Sequence, residues 1–289
     1  MSGSLTNEVD GKREILGICY DNEQTGVVLS KIATTSVGFV ELFFGSGVSS
    51  GSSFIYKQII LGHKKSALYF MTNLHVVQGL LMYYNMARAA INDGKDVDSF
   101  DKGISVKFSD RKIRIAEFIV PRGQFLNPLG LDNSHLDFAI FRIEIDTDDE
   151  ISIFGTRDNW EISQGEGIFA FGYPRGLELS ATNGIVSAIY EDDNRDENLA
   201  RPAAMQNRWC IQHNILINPG NSGGPTVNAR GRIIGISTRG MVTSVAVGVN
   251  FSLNMKYIMN YIKDRSNLEV VRVKEFIDFA TRRAKEDTR

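Results

Sequence analysis

Asn218-Pro219-Gly220-Asn221-Ser222-Gly223-Gly224-Pro225 is the stretch on which the reading of this chain turns. A serine hydroxyl is a weak nucleophile unless its oxygen is exposed, its proton has an acceptor, and donors wait for the oxyanion that attack creates. Glycines on both sides of Ser222 let the backbone turn tightly and present N–H groups that a side chain would obstruct. A plain turn between strands rarely needs so many glycines around one serine. The residues after the serine matter as much: Pro225-Thr226-Val227 and Arg232 to Ser237 read as strands, with no helix directly after Ser222.

Gly220-Asn221-Ser222-Gly223-Gly224 also fits the nucleophile elbow of α/β-hydrolases, but that arrangement needs a helix after the serine and orders its partners serine, acid, histidine. All four histidines here, His63, His75, His135 and His213, precede Ser222. Base and acid therefore come earlier in the chain. His75, within Met71-Thr72-Asn73-Leu74-His75-Val76-Val77, stands at the end of an apolar strand pattern, where its ring can be held rigidly. Asp137, within Ser134-His135-Leu136-Asp137-Phe138-Ala139-Ile140, stands at the start of another, flanked by apolar residues that exclude water from a bond to an imidazole. Histidine, acid, serine is the order of chymotrypsin-like peptidases.

Most of the remaining chain reads as short apolar or alternating runs broken by Gly, Asn, Asp and Ser, the pattern of an all-β sandwich or barrel. The runs are Val37 to Phe44, Ser53 to Ile60, Ala67 to Thr72, Ile104 to Phe108, Ile113 to Val120, Asp137 to Ile145, Gly167 to Phe171, Gly184 to Tyr190, Arg208 to Ile217 and Arg232 to Ser237. So many strands suit two barrels better than one. Helices are expected at Glu23 to Thr34 and Gly79 to Ile91. They are also expected near the C-terminus, where Met255, Ile258, Met259 and Ile262, then Val273, Phe276, Ile277 and Ala280, recur at helical spacing. The tail from Arg282 to Arg289 alternates in sign and is expected to fray, and Glu191 to Glu197 reads as a charged surface loop.

At 289 residues, 43% apolar and 23% charged, the chain has an ordinary globular composition and can bury a sizeable core. A formal net charge of -2 supplies no basic field for nucleic acid, and no polybasic run beside an apolar stretch points to a membrane surface. Met1 to Tyr20 lacks the basic start and apolar middle of a secretory signal, and no run of about eighteen apolar residues occurs. Cys19 and Cys210 are too few and too far apart for a disulfide framework or a zinc site, so a reducing, cytoplasmic compartment is expected. His63, His135 and His213 lack ligand spacing; neither a metal nor a cofactor is expected. Gly45-Ser46-Gly47-Val48-Ser49-Ser50-Gly51 is one residue off a dinucleotide fingerprint but lies between strands and reads as a barrel turn. Trp160 and Trp209 read as core or rim packing.

The chain resembles HtrA-type peptidases of the trypsin-like clan at four motifs in one order. Thr72-Asn73-Leu74-His75-Val76-Val77 is similar to their Thr-Asn-x-His-Val-Val, and Asp137-Phe138-Ala139-Ile140 to their Asp-(Ile/Leu)-Ala-(Val/Leu). Ala170-Phe171-Gly172-Tyr173-Pro174-Arg175-Gly176-Leu177 with Thr182 to Ala188 follows the second-barrel pattern, and Ile217 to Pro225 matches the nucleophile loop. The likeness runs from about Gly38 to Ile262. It implies an all-β chain of two Greek-key six-stranded β-barrels, the chymotrypsin-like fold, with short terminal helices. On that frame, 1–36 is an N-terminal extension, 37–262 a peptidase domain with barrels at about 37–150 and 151–262, and 263–289 a C-terminal helix and tail.

By the same resemblance, His75 is the general base, Asp137 its orienting acid and Ser222 the nucleophile of a serine endopeptidase. Backbone N–H groups of Gly220 and Ser222, with Asn221 between them, form the oxyanion hole. Leu216, six before the serine, faces the base of the pocket for the residue preceding the cut, with Ile217 beside it and Thr238, Arg239 and Asn250 on the other wall. An apolar Leu216 argues against a Lys/Arg preference and for small or medium aliphatic residues; Asn250 replaces a glycine common in the family. Protein or peptide substrates are implied, and a homo-oligomer or a regulatory protein partner fits the resemblance. Two features depart from it: 263–289 is too short for the PDZ module that HtrA proteins usually carry, and Leu80 to Phe100 is an insertion after the base, able to shield the cleft or simply decorate the barrel. The face of Val273, Phe276, Ile277 and Ala280 is expected to pack on the body. Glu191 to Met205 corresponds to a loop that senses activating ligands in the family. The competing reading is a binding or scaffold module on the same fold with a latent or dead site, which usually shows as replacement of a triad residue; all three residues are present.

Overall fold

The computed structural model describes residues 6–9, 12–15, 22–123, 125, 136–147, 151–156, 161–190, 209–243 and 246–288. Alternating and β-branched runs become strands, as the sequence pattern requires. In chain order they are β1 (Thr6–Val9), β2 (Lys12–Ile15), β3 (Val37–Phe44), β4 (Ser46–Gly62), β5 (Lys65–Thr72), β6 (Lys102–Phe108), β7 (Arg111–Arg114), β8 (Glu117–Pro121) and β9 (Ala139–Ile145). The second half carries β10 (Gly167–Gly172), β11 (Ser180–Tyr190), β12 (Cys210–His213), β13 (Pro225–Asn228), β14 (Ile233–Thr243), β15 (Ala246–Asn254) and β16 (Leu268–Arg272). Helices are α1 (Asn22–Ser36), α2 (Leu74–Val77), α3 (Tyr83–Asn92), α4 (Met255–Ile262) and α5 (Val273–Asp287).

The strands form a chymotrypsin-like arrangement in two halves. β10-β11-β12-β15-β14-β13 close into a six-stranded barrel, as expected. The other half differs from the expected six-stranded barrel: it is an eight-stranded antiparallel sheet in the order β16-β8-β9-β5-β4-β3-β6-β7. Two causes account for the difference. The expected strand Ile113 to Val120 breaks into β7 and β8 at Ile115, whose side chain is buried and whose N–H turns to the Ile104 carbonyl at 2.8 Å. Leu268–Arg272, expected as part of a helix and tail, is instead a strand on the outer edge of β8. The expected strand Arg208 to Ile217 is also too long: β12 stops at His213, where the Asn214 side chain takes the Ile185 N–H at 2.8 Å and leads the chain toward Ser222. The expected barrel turn narrows to Gly45 alone, at φ 75°, between β3 and β4.

The tail does not fray at Arg282. α5 continues to Asp287; Thr281 and Ala284 are buried, and Ala284 packs with Ala87 and Ala90 of α3 and with Val97. Val273, Ile277 and Ala280 join the core of the eight-stranded half, so this face packs on the body as expected. The insertion from Leu80 to Phe100 is therefore bound to the C-terminal helix. Tyr83 anchors it, its hydroxyl accepting the Gly103 N–H at 2.8 Å and donating to the Phe43 carbonyl. A second core, with Phe54, Phe138, Phe154, Phe171 and Leu253, lies where the two halves meet.

Candidate active site

Strand register brings the base and acid together. Antiparallel pairing of Thr72 with Ala139 sets the end of β5 beside the start of β9. Two residues upstream of Ala139 is Asp137; three beyond Thr72, on the single turn of α2, is His75. Asp137 Oδ2 lies 2.7 Å from His75 Nδ1, and its Oδ1 accepts the His75 backbone N–H at 2.9 Å. The aspartate side chain is 10% exposed and the imidazole 45%, so the acid is shielded while the ring faces the cleft. A carboxylate gripping both N–H groups of one residue fixes the ring's orientation and the tautomer carrying its proton on Nδ1. Asn73, just before α2, is buried and donates from Nδ2 to the Asp137 carbonyl at 2.8 Å and to Thr238 Oγ1 at 3.1 Å, tying the acid to the barrel half.

Ser222 comes from the loop between β12 and β13. Its hydroxyl donates to the Thr238 carbonyl at 3.1 Å, and its own carbonyl accepts the Ser52 N–H at 2.7 Å. The loop's glycines are required by contact. A Cβ on Gly223, at φ 89°, would lie 2.0 Å from the Ser52 carbonyl oxygen; one on Gly220, at φ 98°, would lie 2.3 Å from that of Tyr173.

The loop also decides where its N–H groups point. The Pro219 carbonyl accepts the Arg175 N–H at 2.7 Å and the Asn221 carbonyl the Gly224 N–H at 3.0 Å. In a trans peptide the next N–H points the opposite way, and the chain has no cis bonds among the described residues. Gly220 and Ser222 therefore direct their N–H groups away from these anchors, and neither finds an acceptor among the described residues. Asn221 does not join them. Its N–H is committed to the Asn218 carbonyl at 3.0 Å, so Asn221 lies between the expected donors Gly220 and Ser222 without offering an N–H of its own. Backbone N–H groups left free on a serine loop are the kind of donor that can stabilise an oxyanion during acyl transfer, and an oriented imidazole is the kind of base such a serine needs.

Residues 45–236 match the family model described as a trypsin-like peptidase domain. The chain belongs to this family. Among curated proteins it is similar to the serine protease Do-like HtrA of Bacillus subtilis, 28% identical over 206 residues that cover 71% of this chain and 36% of that protein. It is also similar to a probable periplasmic serine endoprotease DegP-like of Marinomonas sp., 29% identical over 195 residues, 67% of this chain and 32% of that one. The chain thus spans about a third of the length of these relatives. Among solved structures, an HtrA-type protease AlgW with tripeptide aligns with TM-score 0.52 and 23% identity over 82% of this chain and 62% of that one. The serine endoprotease from Yersinia pestis aligns with TM-score 0.54 and 22% identity, over 85% and 66%. At these identities the structures establish a shared fold.

Within this trypsin-like peptidase domain the expected pocket residues fare unequally. Leu216 is 59% exposed on the approach to Ser222, and Ile217 packs partly against the barrel core. The Thr238 side chain is buried between Asn73 Nδ2 and the Ile236 carbonyl, while its own carbonyl accepts the Ser222 hydroxyl, so any part it takes in a pocket wall is through its backbone. Asn250 is buried on β15, paired across strands with His213 and Gly240. The Arg239 side chain, His135, Trp160, Cys19 and the segment Glu191 to Met205 lie outside the described residues. Trp209 stacks on Tyr257 at 4.4 Å, the rim packing expected of it. His213 is buried inside the barrel, its Nε2 2.9 Å from Ser252 Oγ, which meets Thr226 Oγ1 at 2.6 Å. Burial lowers its pKa to about 4, offset in part by the Ile215 backbone.

Sequence reasoning does not single out Asn73, Thr72 or Ser52. Asn73 and Thr72 stand inside the motif that carries His75, but their bonds run to other elements and have no local signature. Ser52 lies in the run Ser49-Ser50-Gly51-Ser52-Ser53, where nothing in composition separates a buried serine from its neighbours.

Proposed function

We propose that this chain is a serine endopeptidase that hydrolyses peptide bonds of protein or peptide substrates through an acyl-enzyme. The observation that carries the reading is the shielded 2.7 Å contact between His75 Nδ1 and Asp137 Oδ2, together with a glycine-flanked serine in a loop that leaves the Gly220 and Ser222 N–H groups without an acceptor among the described residues. The Ser222 hydroxyl leaves the Thr238 carbonyl and gives its proton to His75 Nε2 as its oxygen attacks the scissile carbonyl. The oxyanion forms toward Gly220 and Ser222 N–H. His75 then protonates the leaving amine; water, deprotonated by the same imidazole, releases the acid product. Asp137 keeps the ring oriented and offsets its positive charge.

Fluorophosphonate labelling of Ser222 together with turnover of a casein substrate tests the reading, and both are expected to vanish in Ser222→Ala. A folded wild type that neither labels nor cleaves would instead support a scaffold with a dead site. Cleavage after small or aliphatic residues follows from Leu216; a peptide-library profile led by Lys or Arg would refute that preference. We further propose that ordering of Glu191–Met205 controls activity. Turnover unchanged after its replacement by a Gly/Ser linker would remove that idea. A cytoplasmic location is likewise a proposal, to be checked by fractionation with antibody detection.

A further inference from the structure

We propose that Ser52 is a positioning residue for the oxyanion hole, acting as the latch through which the eight-stranded half holds Gly220 in its donating orientation. The inference rests on the peptidase reading and goes beyond it.

Ser52 lies on β4, fully buried, far in sequence from the residues it touches. Every polar group it owns is engaged at the junction of the two halves. Its hydroxyl donates to the Gly220 carbonyl at 2.7 Å and accepts the Tyr173 N–H at 2.9 Å. Its N–H donates to the Ser222 carbonyl at 2.7 Å, and its carbonyl accepts the Thr72 hydroxyl at 2.7 Å, three residues before His75. A hydroxyl has one proton to give, and here the proton goes to the residue whose own N–H is the outer oxyanion donor.

Gly220 is thereby pinned from both sides. The peptide before it is held through the Pro219 carbonyl by Arg175 N–H; the peptide after it is held through its own carbonyl by Ser52. Glycine alone resists neither rotation, because φ of either sign is open to it. The turn that supplies Arg175 N–H begins at Tyr173, whose N–H is the one Ser52 Oγ accepts, and Arg175 itself sits at φ 53°, a strained value for a side-chain-bearing residue. One hydroxyl therefore fixes both the loop and the turn that braces it. Removing it orphans the Gly220 carbonyl and the Tyr173 N–H together, which favours rotation of the Gly220 peptide and of the turn at Tyr173 toward other partners.

The experiment compares wild type, Ser52→Ala and Ser52→Cys in the full chain. It measures kcat and KM on a peptide ester, affinity for a peptide boronate whose adduct places an oxygen in the hole, the acid limb of the pH–rate profile, and the melting temperature. Misaligning one donor is expected to lower kcat and boronate affinity in Ser52→Ala by about 10- to 100-fold, with KM within about twofold. The acid limb, which reports His75, stays in place, and Ser52→Cys, keeping the size and a weak donor, recovers part of the loss. Unchanged kcat and boronate affinity in folded Ser52→Ala would overturn the proposal, as would a loss confined to KM or accompanied by a moved acid limb. Should Ser52→Ala not fold, the same comparison of Ser52→Cys with wild type decides. Inactive wild type would sink the peptidase reading itself, an outcome separate from any of these.

Discussion

The contact between His75 and Asp137 is a matter of three atoms and carries a definite expectation. Asp137→Asn keeps the shape but presents an amide that favours the wrong imidazole tautomer. Turnover is expected to fall by about 10^4-fold with little change in melting temperature; active-site titration followed by single-turnover kinetics measures it. Single residues are where the sequence is most legible. Ser222, His75 and Asp137, the residues proposed as nucleophile, base and acid, stand out in the sequence because each has a distinctive neighbourhood, and the relative order of histidines and Ser222 argues against the rival fold. That the Asn221 N–H turns back to the Asn218 carbonyl is not legible in the sequence, because the destination of a backbone N–H depends on the turn geometry, which residue types constrain only loosely. Ser52 and Asn73 are invisible for a related reason: their partners lie 168 and 165 positions away, across the junction of the two halves.

Individual strands are legible wherever a clean alternation runs uninterrupted, as in β3 and β9, and not where a polar side chain ends a strand, as Asn214 does for β12. β16 escapes notice because Leu268–Arg272 is five residues wedged between two strongly helical patterns. The closed barrel has a property that derives from one of its strands. β12 buries His213 among hydroxyl-bearing side chains, and its pKa falls from 6.5 to about 4. The unfolded chain then binds more protons than the folded one as pH drops through this interval, so stability is lost between about pH 6.5 and 4 and is fully present above it. The loss amounts to about 3 kcal/mol. Urea midpoints across this range are expected to fall for wild type and to flatten in His213→Gln; parallel slopes would contradict the assignment.

For the molecule as a whole, the insertion after the base and the C-terminal helix form one buttress against the eight-stranded half. Neither is interpretable alone: each offers an apolar face, and only the three-dimensional arrangement shows that α3 and α5 cover one another. Ile277 belongs to the core of that half, so Ile277→Ala is expected to cost about 2 to 4 kcal/mol of stability by leaving a cavity. Denaturant unfolding reads this directly. A loss of activity at constant stability would instead mean that the buttress communicates with the cleft.

The position of β16 also bears on timing during synthesis. His75 and Asp137 are translated early, yet the sheet that holds them gains its last edge and its covering helix only from residues 268–287. A ribosome must therefore move well past Ser222 before the half that bears the base and acid can be completed. Long-range closure of this kind is slow, so the half that holds His75 and Asp137 is expected to finish folding only after the last residues of α5 have been made.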